Sequence, residues 1–71
     1  MDMTKFLVIF EKAGRNVSAY CPDLPGCVAT GVDEAETERN IKGAIRMHLE
    51  GMREGGEPVP PPGATARYIS L

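Results

Sequence analysis

The spacing of apolar positions changes character several times along this 71-residue chain, and each change marks an element. Thr4 to Lys12 (Thr-Lys-Phe-Leu-Val-Ile-Phe-Glu-Lys) is dense in β-branched and aromatic residues and predicts a strand. Ala13-Gly14-Arg15-Asn16 predicts a hairpin loop, since Gly and Asn tolerate positive φ, and Val17 to Cys21 is the returning strand. With Lys12 opposite Val17, Phe10 faces Ala19, Val8 faces Cys21 and Ile9 faces Tyr20. One sheet face then carries Phe6, Val8, Phe10, Val17, Ala19 and Cys21, and the other carries Leu7, Ile9, Glu11, Ser18 and Tyr20. A one-residue slip of register would exchange the two sets. Both faces of the first strand are apolar, so both should be covered, and a single helix covers only one. The pattern predicts a second copy or a bound partner on the face left open.

Between the second and third strands lies the run Tyr20-Cys21-Pro22-Asp23-Leu24-Pro25-Gly26-Cys27. Two prolines fix φ and remove backbone donors, while Gly26 reaches conformations closed to other residues, so the turn should be rigid. Asp23, Leu24 and Pro25 are expected at its exposed tip, either as a plain turn or as contacts for a partner. Cys27 to Thr30 reads as a short third strand. A helix should start at Asp33, whose carboxylate caps it while Glu36 completes a capping-box-like pattern. Thr37, Ile41, Ala44, Ile45, His48, Leu49 and Met52 then recur at spacings of three and four, giving one apolar stripe. Gly55-Gly56 stops the helix, and Pro58-Val59-Pro60-Pro61-Pro62 is an extended polyproline spacer. Ala66 to Leu71 alternates like a final strand. The predicted order is β-β-β-α-β, an α+β domain. A right-handed crossover would lay the fourth strand parallel to the first, in a four-stranded mixed sheet of order 3-2-1-4.

Size and composition narrow the picture. A chain of 71 residues is expected to form a single domain spanning 1–71, with a modest core that self-association would supplement. Two cysteines are too few for a disulfide scaffold, and no Cys/His spacing suggests a metal site. Neither a basic-then-apolar leader nor a run of about 18 apolar residues is present, which predicts a cytoplasmic protein with no membrane association. A net charge of −2 argues against a nucleic-acid binder and suits a basic partner.

The run Cys21-Pro22-Asp23-Leu24-Pro25-Gly26-Cys27, then Thr30-Gly31, the capped helix with Asn40 near its start, Leu49-Glu50-Gly51-Met52-Arg53 and Gly56-Glu57-Pro58-Val59-Pro60 together resemble the HicB-like antitoxins, from about Lys5 to Leu71. The resemblance implies a degenerate, catalytically inactive ribonuclease H-like fold. It also implies a partner: a small basic mRNA-cleaving toxin of HicA type, which the antitoxin occludes. Many members of the family add a C-terminal DNA-binding segment. This chain stops after the last predicted strand, so no direct DNA binding is expected.

Candidate chemistry does not alter that reading. Ribonuclease H catalysis needs carboxylates converging on two metal ions about 4 Å apart. Glu11 and Asp23 lie apart on the strand plan, and Glu34, Glu36 and Glu38 are explained by the helix start. His48 is the sole histidine and falls on the apolar stripe, and Cys21 and Cys27 read as small buried hydrophobes. No enzyme activity, cofactor or metal is expected. The expected partner or oligomer interface comprises Leu7, Ile9, Glu11, Tyr20, Asp23, Leu24 and Pro25, in a homo-oligomer (dimer or tetramer) formed through the free sheet face or a sheet edge. The competing reading is a stand-alone homo-oligomeric scaffold or small-ligand-binding module with no toxin.

Overall fold

A computed structural model describes residues 4–71. It contains β1 (Ile9–Ala13), β2 (Asn16–Tyr20), β3 (Val28–Gly31) and α1 (Glu34–Glu54). The strands form an antiparallel sheet in the order β1-β2-β3. β1 and β2 pair in the expected register, with Ile9 opposite Tyr20, Phe10 opposite Ala19 and Lys12 opposite Val17. Ala13 and Asn16 close a two-residue hairpin whose first central residue, Gly14, has φ 65° while Arg15 has none of that sign. This is the φ pattern of a type II′ turn, whose twist suits a hairpin and which asks for glycine first.

β2 and β3 are joined by two successive β-turns. The Leu24 N–H donates to the Cys21 carbonyl, with Pro22 in the first central position, and the Cys27 N–H donates to the Leu24 carbonyl, both at 3.1 Å. In the second turn Pro25 precedes Gly26 at φ 82°, the arrangement of a type II turn. The Cys21 N–H closes the unit on the Cys27 carbonyl at 3.1 Å. Folding the loop twice turns Leu24 inward, where it is 1% exposed. The expectation of an exposed Leu24 at the tip is therefore corrected: it belongs to the core, with Ala19, Cys21, Cys27, Ile41 and Leu49.

The helix begins as expected. The Glu36 N–H donates to Asp33 Oδ1 at 2.8 Å, and the Val32 N–H donates to Glu36 Oε1 at 3.0 Å. The reciprocal bond thus reaches one residue further back than in the usual capping box. Thr37, Ile41 and Leu49 are buried, and Ala44, Ile45, His48 and Met52 are half-buried, so the predicted stripe is the face that meets the sheet. Its approach to β3 is close. A Cβ placed on Gly31 would lie 2.6 Å from Thr37 Oγ1 and 2.7 Å from the Thr37 nitrogen. Thr37 Oγ1 sits 2.7 Å from the Asp33 carbonyl oxygen and 3.2 Å from that of Val17, sharing its one hydrogen between helix and sheet. Asn40 Nδ2 donates to the Thr30 carbonyl at 2.8 Å, fastening the same turn of the helix to the β3 edge.

At the far end the Glu57 N–H donates to Met52 at 2.8 Å and the Gly56 N–H to Arg53 at 3.2 Å. With Gly56 at φ 72° this is a Schellman termination. The chain then runs extended, with Val59 packed against the core, to Gly63 and Ala64. Both backbone N–H groups there lie 3.2 Å from Asp23 Oδ1 as donors to it, so the carboxylate clasps the returning chain to the β2–β3 turn.

The sheet departs from the expected four strands. Among the described residues it has three and no parallel partner, and residues 65–71 lie outside any ladder. Tyr68 and Leu71 are fully exposed there. Alternation marks a segment that suits a strand, but a strand exists only where another supplies its hydrogen bonds. β1 also starts at Ile9 rather than Thr4. By the alternation of the ladder, the residue of β2 after Tyr20 whose backbone would face β1 is Pro22, which has no N–H to offer.

Candidate protein-binding surface

The register places side chains in rows across the sheet. Phe10, Ala19 and Ala29 form one row beneath the helix, and Ile9, Tyr20 and Val28 form the neighbouring row on the opposite face. Behind this second row lies a polar one of Glu11, Ser18 and Thr30. No element covers this face among the described residues. Tyr20 is 40% exposed and Val28 64% exposed, so the row forms an apolar band with Glu11 beside it. Leu7 is half-buried in the extended segment leading into β1.

The expected interface residues thus divide into groups. Ile9, Glu11 and Tyr20 are brought together on the open face, as the strand pattern implied. Asp23 and Pro25 belong to the double turn, where Pro25 is exposed and the Asp23 carboxylate is occupied by the Gly63 and Ala64 N–H groups. Leu24 is withdrawn into the core. Val28 was not among the expected contacts. Its face follows from the phase of a four-residue strand, which only the double turn determines.

A second feature lies on the helix side. A groove of about 550 Å³ runs between the segment leading into β1 and α1. Its floor is apolar, with Phe6, Val8, Phe10, Ile41, Ile45 and Leu49, and Glu38, Lys42, Arg46 and Glu50 stand at its rim.

Reactive groups are dispersed. Among the described residues no three His, Cys, Asp or Glu side chains gather closely enough to hold a metal ion. Cys21 and Cys27 are buried free thiols. Burial pushes the Cys27 thiol up from its ordinary value, and the neighbouring Cys21 adds to the shift. A raised thiol pKa disfavours the thiolate that reactivity requires. His48 is half-buried beside Cys27, Val28 and Met47. No described helix is long and apolar enough to cross a membrane.

A three-stranded antiparallel sheet with one helix on one face and an exposed apolar row on the other defines a small α+β domain. The particular family follows from comparison. The model of the HicB-like antitoxins of bacterial toxin–antitoxin systems matches residues 6–70, and the chain belongs to that family. It is 35% identical over 63 residues to an uncharacterized 14.9 kDa protein of the rep-hol intergenic region of Haemophilus phage HP1, covering 89% of this chain and 47% of the phage protein. It is 41% identical over 39 residues to the UPF0150 protein Ta0767 of Thermoplasma acidophilum, covering 55% of this chain and 56% of that protein. The chain therefore spans about half the length of the curated relatives it matches. Among solved structures it is similar to a chain of the HicA3 and HicB3 toxin-antitoxin complex, with a TM-score of 0.70 and 28% identity over 83% of this chain and 70% of that one.

Proposed function

We propose that this chain is a non-catalytic antitoxin module that binds and occludes a small basic toxin of HicA type. Family membership supports the class, and the solved relative's presence in a toxin-antitoxin complex supports the partner. The observation that carries the reading is the row of exposed Tyr20 and Val28 with half-buried Ile9, and Glu11 at its side. An apolar row next to a carboxylate suits a partner presenting a hydrophobic patch ringed by Lys or Arg. Leu7 and Pro25 extend this surface, while Asp23 and Leu24 shape it from within the turn. The mechanism is steric: the module covers the toxin's RNA-binding surface and needs no reacting group of its own.

The test is titration of a small basic HicA-type toxin with the wild-type protein and with Tyr20→Asp, followed by calorimetry and an RNA-cleavage assay. The wild type should form an equimolar complex that suppresses cleavage. Because a buried aromatic anchor contributes about 2 kcal/mol or more, Tyr20→Asp should weaken binding by at least roughly 30-fold. Unchanged affinity in Tyr20→Asp, with its circular dichroism intact, would rule out the open face as the docking site. The scaffold reading is favoured by a separate observation, the exposed residues 65–71, and predicts self-association with no toxin complex.

A further inference from the structure

Two unmatched features of the fold are complementary. The first is the outer edge of β1. Strand order leaves it at the margin of the sheet, and ladder alternation turns the backbone groups of Val8, Phe10 and Lys12 away from β2. The side chains of Val8 and Phe10 also floor the apolar groove beside α1. The second is the segment Arg67-Tyr68-Ile69-Ser70-Leu71. It lies outside any ladder, alternates apolar and polar positions as a strand does, and exposes Tyr68, Ile69 and Leu71. The radius of gyration is 13.3 Å, larger than the roughly 11 Å expected of a compact chain of this length.

We infer that this segment is an exchange arm: residues 67–71 of one copy add a strand to the β1 edge of a second copy, and the second copy returns its own. The alternation fits both sides of that edge. Ile69 and Leu71 fall on one face of the arm and enter the groove over Val8, Phe10, Ile41 and Ile45, while Tyr68 falls on the other and extends the open-face band. Backbone pairing gives affinity and the alternating side chains give register, as in other strand additions. Reciprocal exchange makes a closed, two-fold dimer and removes both exposed edges.

The test uses the full chain in sedimentation equilibrium, with hydrogen exchange read on the outward-facing amides of Val8, Phe10 and Lys12. The wild type should sediment at about twice its 7.7 kDa mass. Ile69→Asp combined with Leu71→Asp alters only exposed side chains and leaves the monomer's fold undisturbed. It should weaken dimerisation by roughly 100-fold or more and remove protection from the Val8, Phe10 and Lys12 amides. A monomeric wild type overturns the inference, since the arm then stays free or docks on its own sheet. A dimer that survives the double substitution overturns it too, because another surface would hold the copies. Dissociation without any change in the Val8, Phe10 and Lys12 amides would refute the β1 edge as the arm's seat.

Discussion

Gly31 and Gly43 make opposite predictions for the same chemical change. At Gly31 an added Cβ meets Thr37 Oγ1 at 2.6 Å, the Thr37 nitrogen at 2.7 Å and the Glu36 carbonyl carbon at 3.1 Å. Two of these atoms are backbone, so no rotamer change relieves the overlap. The first turn of α1 must lift from β3, which stretches the 3.2 Å contact between Thr37 Oγ1 and Val17 and loosens Ile41 in the core. Overpacking of this kind costs about 1–3 kcal/mol, and the weakened hydrogen bond adds about 1 kcal/mol. Gly31→Ala should therefore destabilise the fold by about 2–4 kcal/mol. At Gly43 an added Cβ meets nothing within 4 Å, and the residue lies mid-helix. Gly43→Ala should stabilise by about 0.5–1 kcal/mol, the ordinary helix advantage of alanine. Urea unfolding followed by circular dichroism measures both. In a small domain each kcal/mol moves Tm by roughly 4–8 °C, so the two variants should differ by well over 10 °C. A Gly31→Ala protein within about 0.5 kcal/mol of wild type would refute the close approach of helix and strand.

Other consequences are open to direct measurement. Asp23→Ala removes the acceptor for the Gly63 and Ala64 N–H groups, so their hydrogen exchange should accelerate and stability should fall by about 1 kcal/mol. Unchanged protection at those two amides would show that the clasp does not form in solution. The Cys27 thiol has its folded pKa raised by burial and by Cys21. Its contribution to stability is thus complete below the unfolded thiol pKa of about 8.5 and is lost as pH rises through the higher folded value. Wild-type Tm should fall on going into that alkaline range, with a shallower slope in Cys27→Ala, and equal slopes would argue against the shift. Alkylation at neutral pH should be slow in the native protein and fast in guanidinium.

Local rules carried most of the fold. The Gly14 hairpin set the register of β1 on β2, Asp33 and Glu36 marked the helix start, and a spacing of three and four from Thr37 to Met52 gave the buried stripe. What escaped were facts that depend on phase or on distant partners. Leu24 stands between two prolines in a loop, and its inward turn needs both β-turns to be built in sequence. Gly31 carried a signal that could have been used: a glycine in a strand often marks close backbone approach. The open-face row was legible at Ile9 and Tyr20 but not at Val28, because a four-residue strand has too few positions to declare its face. Residues 66–71 declared their alternation but not their partner, since pairing is a non-local property of the chain.

The Asp23 clasp has a kinetic consequence for assembly. It fixes the root of the arm at Ala64, so the arm comprises residues 65–71. Seven extended residues reach roughly 23 Å. Once one arm is seated on a second copy, the other is confined to a sphere of that radius, an effective concentration on the order of 30 mM. The second docking then becomes intramolecular, so dimers held by a single arm should be short-lived. Loosening the clasp would lengthen the tether, dilute the second arm and erode the concerted closure of the pair.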